Sequence, residues 1–217
     1  MGRSYSYILF DLDGTLTDSG PGIMNGFSYV IRKMGGDVGD RGSLRRFIGP
    51  PLKDSFGRIL GYSPQKTEEA IRLYREYYDK MGGAFENSVY PGIERLLLEL
   101  KEGGKHLFVA TSKSARAANT VLEHFDLKQY FELVVAADDS ERQTKADVIR
   151  FILERSGVSD KSEAVMAGDR ENDILAAKEA GIDSIGVLYG YGSDEELTAA
   201  GATFLAESVE AIRILIR

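Results

Sequence analysis

The hydrophobic and polar positions of the chain follow one pattern before residue 90 and another after it. In the later part, short apolar runs alternate with amphipathic stretches whose apolar residues recur at helical spacing. Such alternation is typical of βαβ units, in which parallel strands form a sheet covered by helices on both faces. The predicted elements are strands at His106–Ala110, Leu133–Ala137, Ala164–Ala167 and Ser184–Leu188, and helices at Ile93–Lys101, Ala115–Phe125, Lys145–Ser156, Asp173–Ala180 and Ser208–Ile216.

The earlier part of the chain predicts one strand followed only by helices. The apolar run Tyr7–Phe10 is typical of a buried strand. Helical spacing then predicts helices over Ile23–Met34 and Thr67–Met81, and a further helical region between them that is broken at residues 49–51, where two prolines cannot donate hydrogen bonds. The sequence therefore predicts an α/β core, residues 1–16 and 87–217, interrupted once by an all-helical insert, residues 17–86.

Composition narrows the classes of function. The chain has 217 residues, of which 43% are hydrophobic and 28% charged, as in a globular protein with a sizeable core. A formal net charge of −7 disfavours a nucleic-acid polymer or an anionic membrane as the partner, although a local basic pocket can still bind a small phosphorylated metabolite. The absence of cysteine excludes disulfides, thiolate nucleophiles and cysteine-based zinc sites.

The sequence indicates neither a membrane span nor a secretory signal. No apolar run approaches the ~18 residues that span a bilayer. The start of the sequence also lacks a basic segment followed by a signal-type apolar stretch. We therefore expect a cytoplasmic protein that is a monomer or a weak dimer.

Polar side chains follow several of the predicted strands at the point where each strand ends. In an open parallel sheet, ligands bind outside the carboxyl ends of the strands. We therefore expect these side chains to lie together at one edge of the sheet. They are Asp11 and Asp13 after the first strand, Thr111, Ser112 and Lys113 after the second, Lys145 at the start of the helix that follows the third, and Asp169 and Asp173 after the fourth.

The four carboxylates in this set indicate a bound cation, because like charges at close range disfavour ionisation. Clustered carboxylate oxygens without histidine or cysteine suit Mg²⁺, which keeps several waters that a phosphate can replace. Thr111 offers a hydroxyl and backbone N–H groups to a phosphate oxygen, and Lys145 offers a positive charge. A lysine in the first turn of a helix opposes the helix dipole by ~0.3–1 kcal/mol. A cost of this kind favours a functional role for Lys145.

These motifs resemble those of the haloacid dehalogenase superfamily of phosphatases, in its phosphoglycolate-phosphatase-like group. The resemblance covers nearly the whole chain. It implies a Rossmann-like parallel core with an inserted helical cap. The matching segments are Asp11-Leu12-Asp13-Gly14-Thr15-Leu16, Phe108-Val109-Ala110-Thr111-Ser112-Lys113, the single residue Lys145, and Gly168-Asp169-Arg170-Glu171-Asn172-Asp173.

The resemblance implies a role for each matching residue. Asp11 would attack phosphorus and form an aspartyl-phosphate, and Asp13 would protonate the leaving oxygen and then activate the hydrolytic water. The residues expected to bind Mg²⁺ are Asp11, Asp13 through its backbone carbonyl, Asp169, and Asp173 either directly or through water. The residues expected to bind the transferring phosphoryl group are Thr111, Ser112 and Lys145.

The helical insert would be the mobile cap of the family, which closes over the site and excludes water. Arg45 and Lys53 flank a segment, residues 47–52, that resembles the substrate-specificity loop of the family. We expect these two cations to bind the substrate, with Arg45 contacting a second anionic group. The alternative is that the basic residues form an ordinary solvated helix face.

Several functions stay open on the sequence alone. The first choice is Mg²⁺-dependent hydrolysis of a phosphoglycolate-like or sugar phosphate. Residues 137–144 lack the Gly-Ser pair of close phosphoglycolate phosphatases, and Ala146 replaces the proline that usually follows the lysine, so a nucleoside 5′-monophosphate phosphatase is the alternative. A phosphomutase and a catalytically silent binding protein are further alternatives. A dehalogenase is disfavoured by Asp13, because that chemistry needs no second acid.

Overall fold

The strands of the protein form one parallel sheet in the order β3-β2-β1-β4-β5-β6. The computed structural model describes residues 4–137 and 142–216. Strands β2 and β3 lie on one side of β1, and β4, β5 and β6 lie on the other. The strand order therefore reverses between β1 and β4, which makes this the topological switch point of the sheet. The strands are β1 Tyr7–Phe10, β2 His106–Thr111, β3 Leu133–Ala136, β4 Ala164–Gly168, β5 Asp183–Val187 and β6 Phe204–Ala206.

Helices connect the strands and fill the insert. The α-helices are α1 Gly20–Lys33, α2 Leu52–Asp54, α3 Pro64–Arg75, α4 Ile93–Glu102, α5 Ala115–His124, α6 Lys145–Arg155, α7 Glu171–Ala180, α8 Asp194–Ala200 and α9 Val209–Leu215. The insert also contains a 3₁₀-helix at Arg41–Phe47 and π-helices at Ser55–Ile59 and Glu76–Lys80. The predicted parallel α/β core with helices on both faces is confirmed.

Alternate residues of the strands pack on opposite faces of the sheet. Leu9, Phe108 and Met166 belong to one buried cluster with residues of α6 and α7. Ile8 and Val109 belong to a second, larger cluster with α4, α5 and α9. That larger cluster continues into the insert, where aromatic side chains pack closely. They are Phe27, Phe47, Phe56 and Tyr74.

We call residues 17–86 the cap, using the range predicted from the sequence. The two chain segments that connect it to the core run side by side. The N–H of Asp18 donates to the carbonyl of Ser88 at 2.8 Å, and the N–H of Tyr90 donates to the carbonyl of Leu16 at 3.1 Å. These paired connections enter and leave the cap directly beyond the end of β1.

Some elements differ from those that the sequence predicts. Helix α3 begins at Pro64 rather than Thr67, because the Ser63 hydroxyl caps the N–H of Lys66 at 3.4 Å and proline fits the first turn. Helix α8 and strand β6 lie in a stretch, residues 189–207, for which the sequence predicted no element. The departures from the family pattern at residues 138–141 lie outside the described residues.

Among residues 4–137 and 142–216, no helix combines the length and the apolar character that crossing a bilayer requires.

Candidate active site

Three buried aspartates meet at the carboxyl edge of the sheet. Asp11 directly follows β1, Asp169 directly follows β4, and Asp173 lies in the first turn of α7. Strands β1 and β4 are neighbours in register, and the N–H of Asp11 donates to the carbonyl of Ala167 at 2.9 Å. One carboxylate oxygen from each aspartate lies within 4.8 Å of the others. The three side chains, at most 3% exposed, therefore form one acid cluster.

The side chain of Lys145 enters this acid cluster from the first turn of α6. Its Nζ lies 2.9 Å from Oδ1 of Asp11 and donates a short hydrogen bond to Oδ1 of Asp173. Burial lowers the pKa of Lys145, but the carboxylates of Asp11 and Asp173 raise it, and the net shift is upward. With the lysine charged, three carboxylates and one ammonium leave a formal charge of about −2, which a divalent cation would balance.

The start of α6 places Lys145 in the site. Thr144 is the N-cap of this helix, and its hydroxyl accepts a hydrogen bond of 3.2 Å from the N–H of Asp147. The Asp147 carboxylate in turn accepts from the N–H of Thr144 at 2.9 Å, which completes a capping box. Two unpaired backbone donors are thereby satisfied at the turn that carries the lysine.

Two carboxyl groups of the cluster, those of Asp11 and Asp169, are difficult to ionise in the protein without a metal. Burial raises the pKa of Asp11 to about 7, despite the opposing charge of Lys145, and the charge of Asp173 contributes to the rise. Burial also raises the pKa of Asp169 well above its usual value, and repulsion from Asp173 and Asp11 adds to the effect. A cation bound between the carboxylates would offset both effects.

Asp169 is seated by backbone that approaches it closely. The N–H of Tyr191 donates to its Oδ2 at 2.8 Å. Gly14 has a left-handed φ of +85°, and a Cβ at this position would come within 2.2 Å of the same oxygen. Oδ1 of Asp169 is buried and has no hydrogen-bond partner among the described residues. A carboxylate oxygen that binds a metal needs no hydrogen-bond donor from the protein. A buried carboxylate oxygen without a partner is therefore consistent with a metal ligand.

The residues of the acid cluster fit a bound Mg²⁺. All the donors are oxygens, the site is buried, and its net charge is opposite to that of the ion. Asp11, Asp169 and Asp173 are the side chains that would hold it. These three residues are among the four predicted from the sequence to bind the metal; the fourth is Asp13, through its backbone carbonyl.

The second acid of the first motif, Asp13, lies against a different lysine. Lys113 Nζ donates to both carboxylate oxygens of Asp13, at 3.0 and 2.9 Å. The same Nζ lies 4.5 Å from the centre of the Tyr78 ring, which belongs to the cap. Burial lowers the pKa of Lys113, the carboxylate of Asp13 raises it, and the net shift is upward. The sequence analysis placed Lys113 at the end of β2 but did not predict this contact.

Thr111 and Ser112 lie where they were expected, at the end of β2 beside β1. The Thr111 side chain is buried, and its Oγ1 accepts a hydrogen bond of 3.1 Å from the N–H of Lys113. Ser112 is half-buried. Both residues therefore stand at the same edge of the sheet as the acid cluster.

The two predicted substrate-binding cations lie in different parts of the cap. The guanidinium of Arg45 is exposed and lies 5.9 Å from the centre of the Tyr191 ring. Lys53 is exposed and lines a cavity of about 940 Å³, together with Arg72 of the cap and Arg116 of the core. Arg45 thus faces the loop that seats Asp169, whereas Lys53 faces a separate cavity.

Two further residues, which the sequence analysis missed, connect the acid cluster to the cap. Tyr191 donates through its phenol to Oδ1 of Asp18 at 2.5 Å and accepts from the N–H of Gly20 at 2.6 Å. The N–H of Arg170 donates to Oδ2 of Asp173 at 3.0 Å, and its guanidinium bonds the carbonyl of Ile48 in the cap. The alternating Tyr-Gly-Tyr-Gly at 189–192, directly after a strand, was the signal for a close backbone approach.

A buried cluster of acids beside a buried lysine, at the switch point of a parallel sheet, defines an α/β enzyme with an acidic catalytic edge. The family described as haloacid dehalogenase-like hydrolase matches residues 8–187. This chain belongs to that family, and its class is that of the phosphatases.

Individual relatives cover nearly the whole chain. A 5′-nucleotidase of Pseudomonas aeruginosa is 38% identical over 96% of this chain and 94% of its own length. A phosphoglycolate phosphatase of Vibrio cholerae is 30% identical over 95% of each chain. Tyrosine-protein kinase PtkA of Mycobacterium tuberculosis is 36% identical over 95% of this chain and 70% of its own. The crystal structure of a predicted phosphatase from Clostridium acetobutylicum superposes with a TM-score of 0.93, at 45% identity and 98% coverage of both chains.

Proposed function

We propose that this protein hydrolyses phosphomonoesters of small metabolites, with Mg²⁺ as cofactor and an aspartyl-phosphate on Asp11 as intermediate. The observation that carries the proposal is the buried cluster of Asp11, Asp169 and Asp173 around Lys145. Asp11, Asp169, Asp173 and the backbone carbonyl of Asp13 would hold the metal. When bound, Mg²⁺ would offset the negative charge of the phosphoryl oxygens.

Asp11 acts as the nucleophile of this reaction. Its carboxylate oxygen forms a bond to phosphorus while the bond from phosphorus to the leaving oxygen breaks. Asp13 gives a proton to that oxygen, so the product leaves as an alcohol. Asp13 then takes a proton from a water molecule, which attacks phosphorus and releases Asp11 and inorganic phosphate. One difficult displacement is thereby divided into two.

Lys145, Thr111 and Ser112 bind the group in transfer. The lysine already lies 2.9 Å from Asp11, so its charge stands beside the atom that attacks. The Thr111 hydroxyl and the backbone after it lie at the same edge of the sheet. Positioning and charge stabilisation are the main contributions that a protein makes to phosphoryl transfer.

The cap closes over the reacting atoms and excludes water during the first step. Its Tyr78 ring already contacts Lys113 of the core, which in turn holds Asp13. Arg45 would bind a second anionic group in the part of the substrate that is not transferred. Lys53, which lines a separate cavity in this structure, would reach that part of the substrate only when the cap moves.

The substrate class is a phosphoglycolate-like or sugar phosphate as first choice. A nucleoside 5′-monophosphate is the second candidate, because the relative with 38% identity over nearly the full length is a 5′-nucleotidase. A phosphate-release screen with phosphoglycolate, sugar phosphates and nucleoside 5′-monophosphates separates the two.

The activity itself is tested by removing the nucleophile and the metal. Asp11→Asn and treatment with EDTA should each abolish phosphate release, and added Mg²⁺ should restore the EDTA-treated wild type alone. Asp37→Asn, the same change at an exposed cap residue, should leave turnover intact. Sustained phosphate release by Asp11→Asn would overturn the nucleophile assignment. Full activity after complete chelation would overturn the proposed requirement for Mg²⁺.

A further inference from the structure

Lys113 is held in a position that the proposed chemistry does not yet explain. Its ammonium donates to both oxygens of Asp13, at 3.0 and 2.9 Å, and its side chain is only 8% exposed. Burying a long, flexible cation is costly unless it has a partner. A surface lysine that merely balanced charge would leave its ammonium in water. The contact therefore fixes the orientation of the Asp13 carboxylate relative to Asp11, two residues earlier.

The other side of the ammonium is covered by the cap. The Tyr78 ring lies 4.5 Å from Nζ and is itself buried, stacked on Tyr74 at 5.4 Å. An aromatic face attracts a cation, and the attraction increases when water is excluded. The seat of Lys113 is thus formed by a core carboxylate and a cap ring together.

We infer that Lys113 is a positioning residue that holds Asp13 for proton transfer, and that Tyr78 of the cap completes its seat. The inference rests on the proposed function of Asp13 as acid and base. As Asp13 releases its proton to the leaving oxygen, negative charge develops on its carboxylate. Lys113 stabilises that charge at hydrogen-bond distance, so its contribution grows as proton transfer becomes more advanced.

If Lys113 stabilises the charge that develops on Asp13, the loss of kcat/KM on removing Lys113 depends on how much the leaving group needs a proton. A nitrophenolate departs readily without a proton, whereas an unsubstituted phenolate needs one. Lys113→Met should therefore reduce kcat/KM for phenyl phosphate by about tenfold or more beyond its effect on p-nitrophenyl phosphate, within the range of general acid catalysis. The quantity kcat/KM is used because it reports the steps up to departure of the leaving group.

Matched variants separate positioning from folding. Lys113→Arg keeps the charge and should restore most of the kcat/KM that Lys113→Met loses on phenyl phosphate. Tyr78→Leu, which removes the ring from the seat, should shift toward Lys113→Met. Lys161 is an exposed lysine that donates to the carbonyl of Ala180, and Lys161→Met should leave kcat/KM unchanged for both substrates.

A double-mutant cycle tests whether Lys113 acts through Asp13. In an Asp13→Asn background, Lys113→Met should change kcat/KM for phenyl phosphate by less than about threefold, because residues that act as a unit are not additive. Equal losses for both aryl phosphates, or full multiplicative losses in the double variant, would overturn the inference and leave Lys113 a structural residue. Neither result would affect the test of Asp11, whose failure alone would remove the proposed function.

Discussion

The guanidinium of Arg170 bonds the backbone carbonyl of Ile48, which joins the acidic edge of the core to the cap. Arg170 stands between Asp169 and Asp173 in sequence, and its own N–H donates to Asp173 at 3.0 Å. Its Nε donates to Glu196 at 2.8 Å, which orients the guanidinium. A residue bonded at one end to the acid cluster therefore contacts residue 48 of the cap at the other.

Removing the Arg170 side chain should make residues 45–51 of the cap more mobile. We expect Arg170→Ala to lower the free energy of unfolding by about 1.5–3 kcal/mol, the usual worth of hydrogen bonds from a charged group. It should also accelerate amide exchange at residues 45–51. Arg95→Ala, at an exposed arginine of α4, is the matched control. Unchanged exchange at residues 45–51 would show that the bond does not hold them.

Gly14 provides a second test of the acid cluster. Alanine at this position must adopt a φ of +85° and would place its Cβ 2.2 Å from Asp169. Gly35 has a similar φ of +79° with nothing within 4 Å, so Gly35→Ala measures the backbone cost alone, about 1–2 kcal/mol. We expect Gly14→Ala to be clearly more destabilising than Gly35→Ala in thermal unfolding, and to weaken Mg²⁺ activation. Equal destabilisation would contradict the close approach.

The capping box at the start of α6 predicts a dependence of stability on pH. The hydrogen bonds from Thr144 lower the pKa of Asp147 below its ordinary value. A group whose pKa is depressed by folding contributes stability above its unfolded pKa, and that contribution is lost as pH falls through the folded value. Asp147→Asn should therefore destabilise the protein at pH 7 and converge with the wild type in strong acid. Chemical unfolding at several pH values measures this, and a constant difference would refute it.

Much of the core follows from the sequence because apolar runs and strand ends are strong signals. The predicted strand at 106–110 is one residue longer and ends at Thr111, and three of the aspartates expected at the carboxyl edge, Asp11, Asp169 and Asp173, lie together there. Parallel strands in register bring their ends together, whatever the loops between them do. The acidic and basic residues that follow each strand could therefore be assigned to one edge of the sheet from the sequence alone.

Other features of the fold and the site could not be predicted from the spacing of apolar residues. Helix α3 begins at Pro64 with Ser63 as its N-cap, whereas the apolar residues at helical spacing predicted a helix only from Thr67. Strand β6 has only three residues, too few for a periodic pattern. The contact between Lys113 and Asp13 joins positions 100 residues apart, and the direction of a long side chain cannot be predicted from its neighbours.

In the proposed mechanism, Asp11 carries the phosphoryl group during turnover. Asp13→Asn should slow hydrolysis of the intermediate while still allowing p-nitrophenol to leave. With Mg²⁺ and p-nitrophenyl phosphate, rapid mixing of this variant should give a burst of about one p-nitrophenol per enzyme, as expected for covalent catalysis. Mass spectrometry after acid quench should then find one phosphoryl group on Asp11. Steady turnover with no burst, or a phosphoryl group on another residue, would contradict the account.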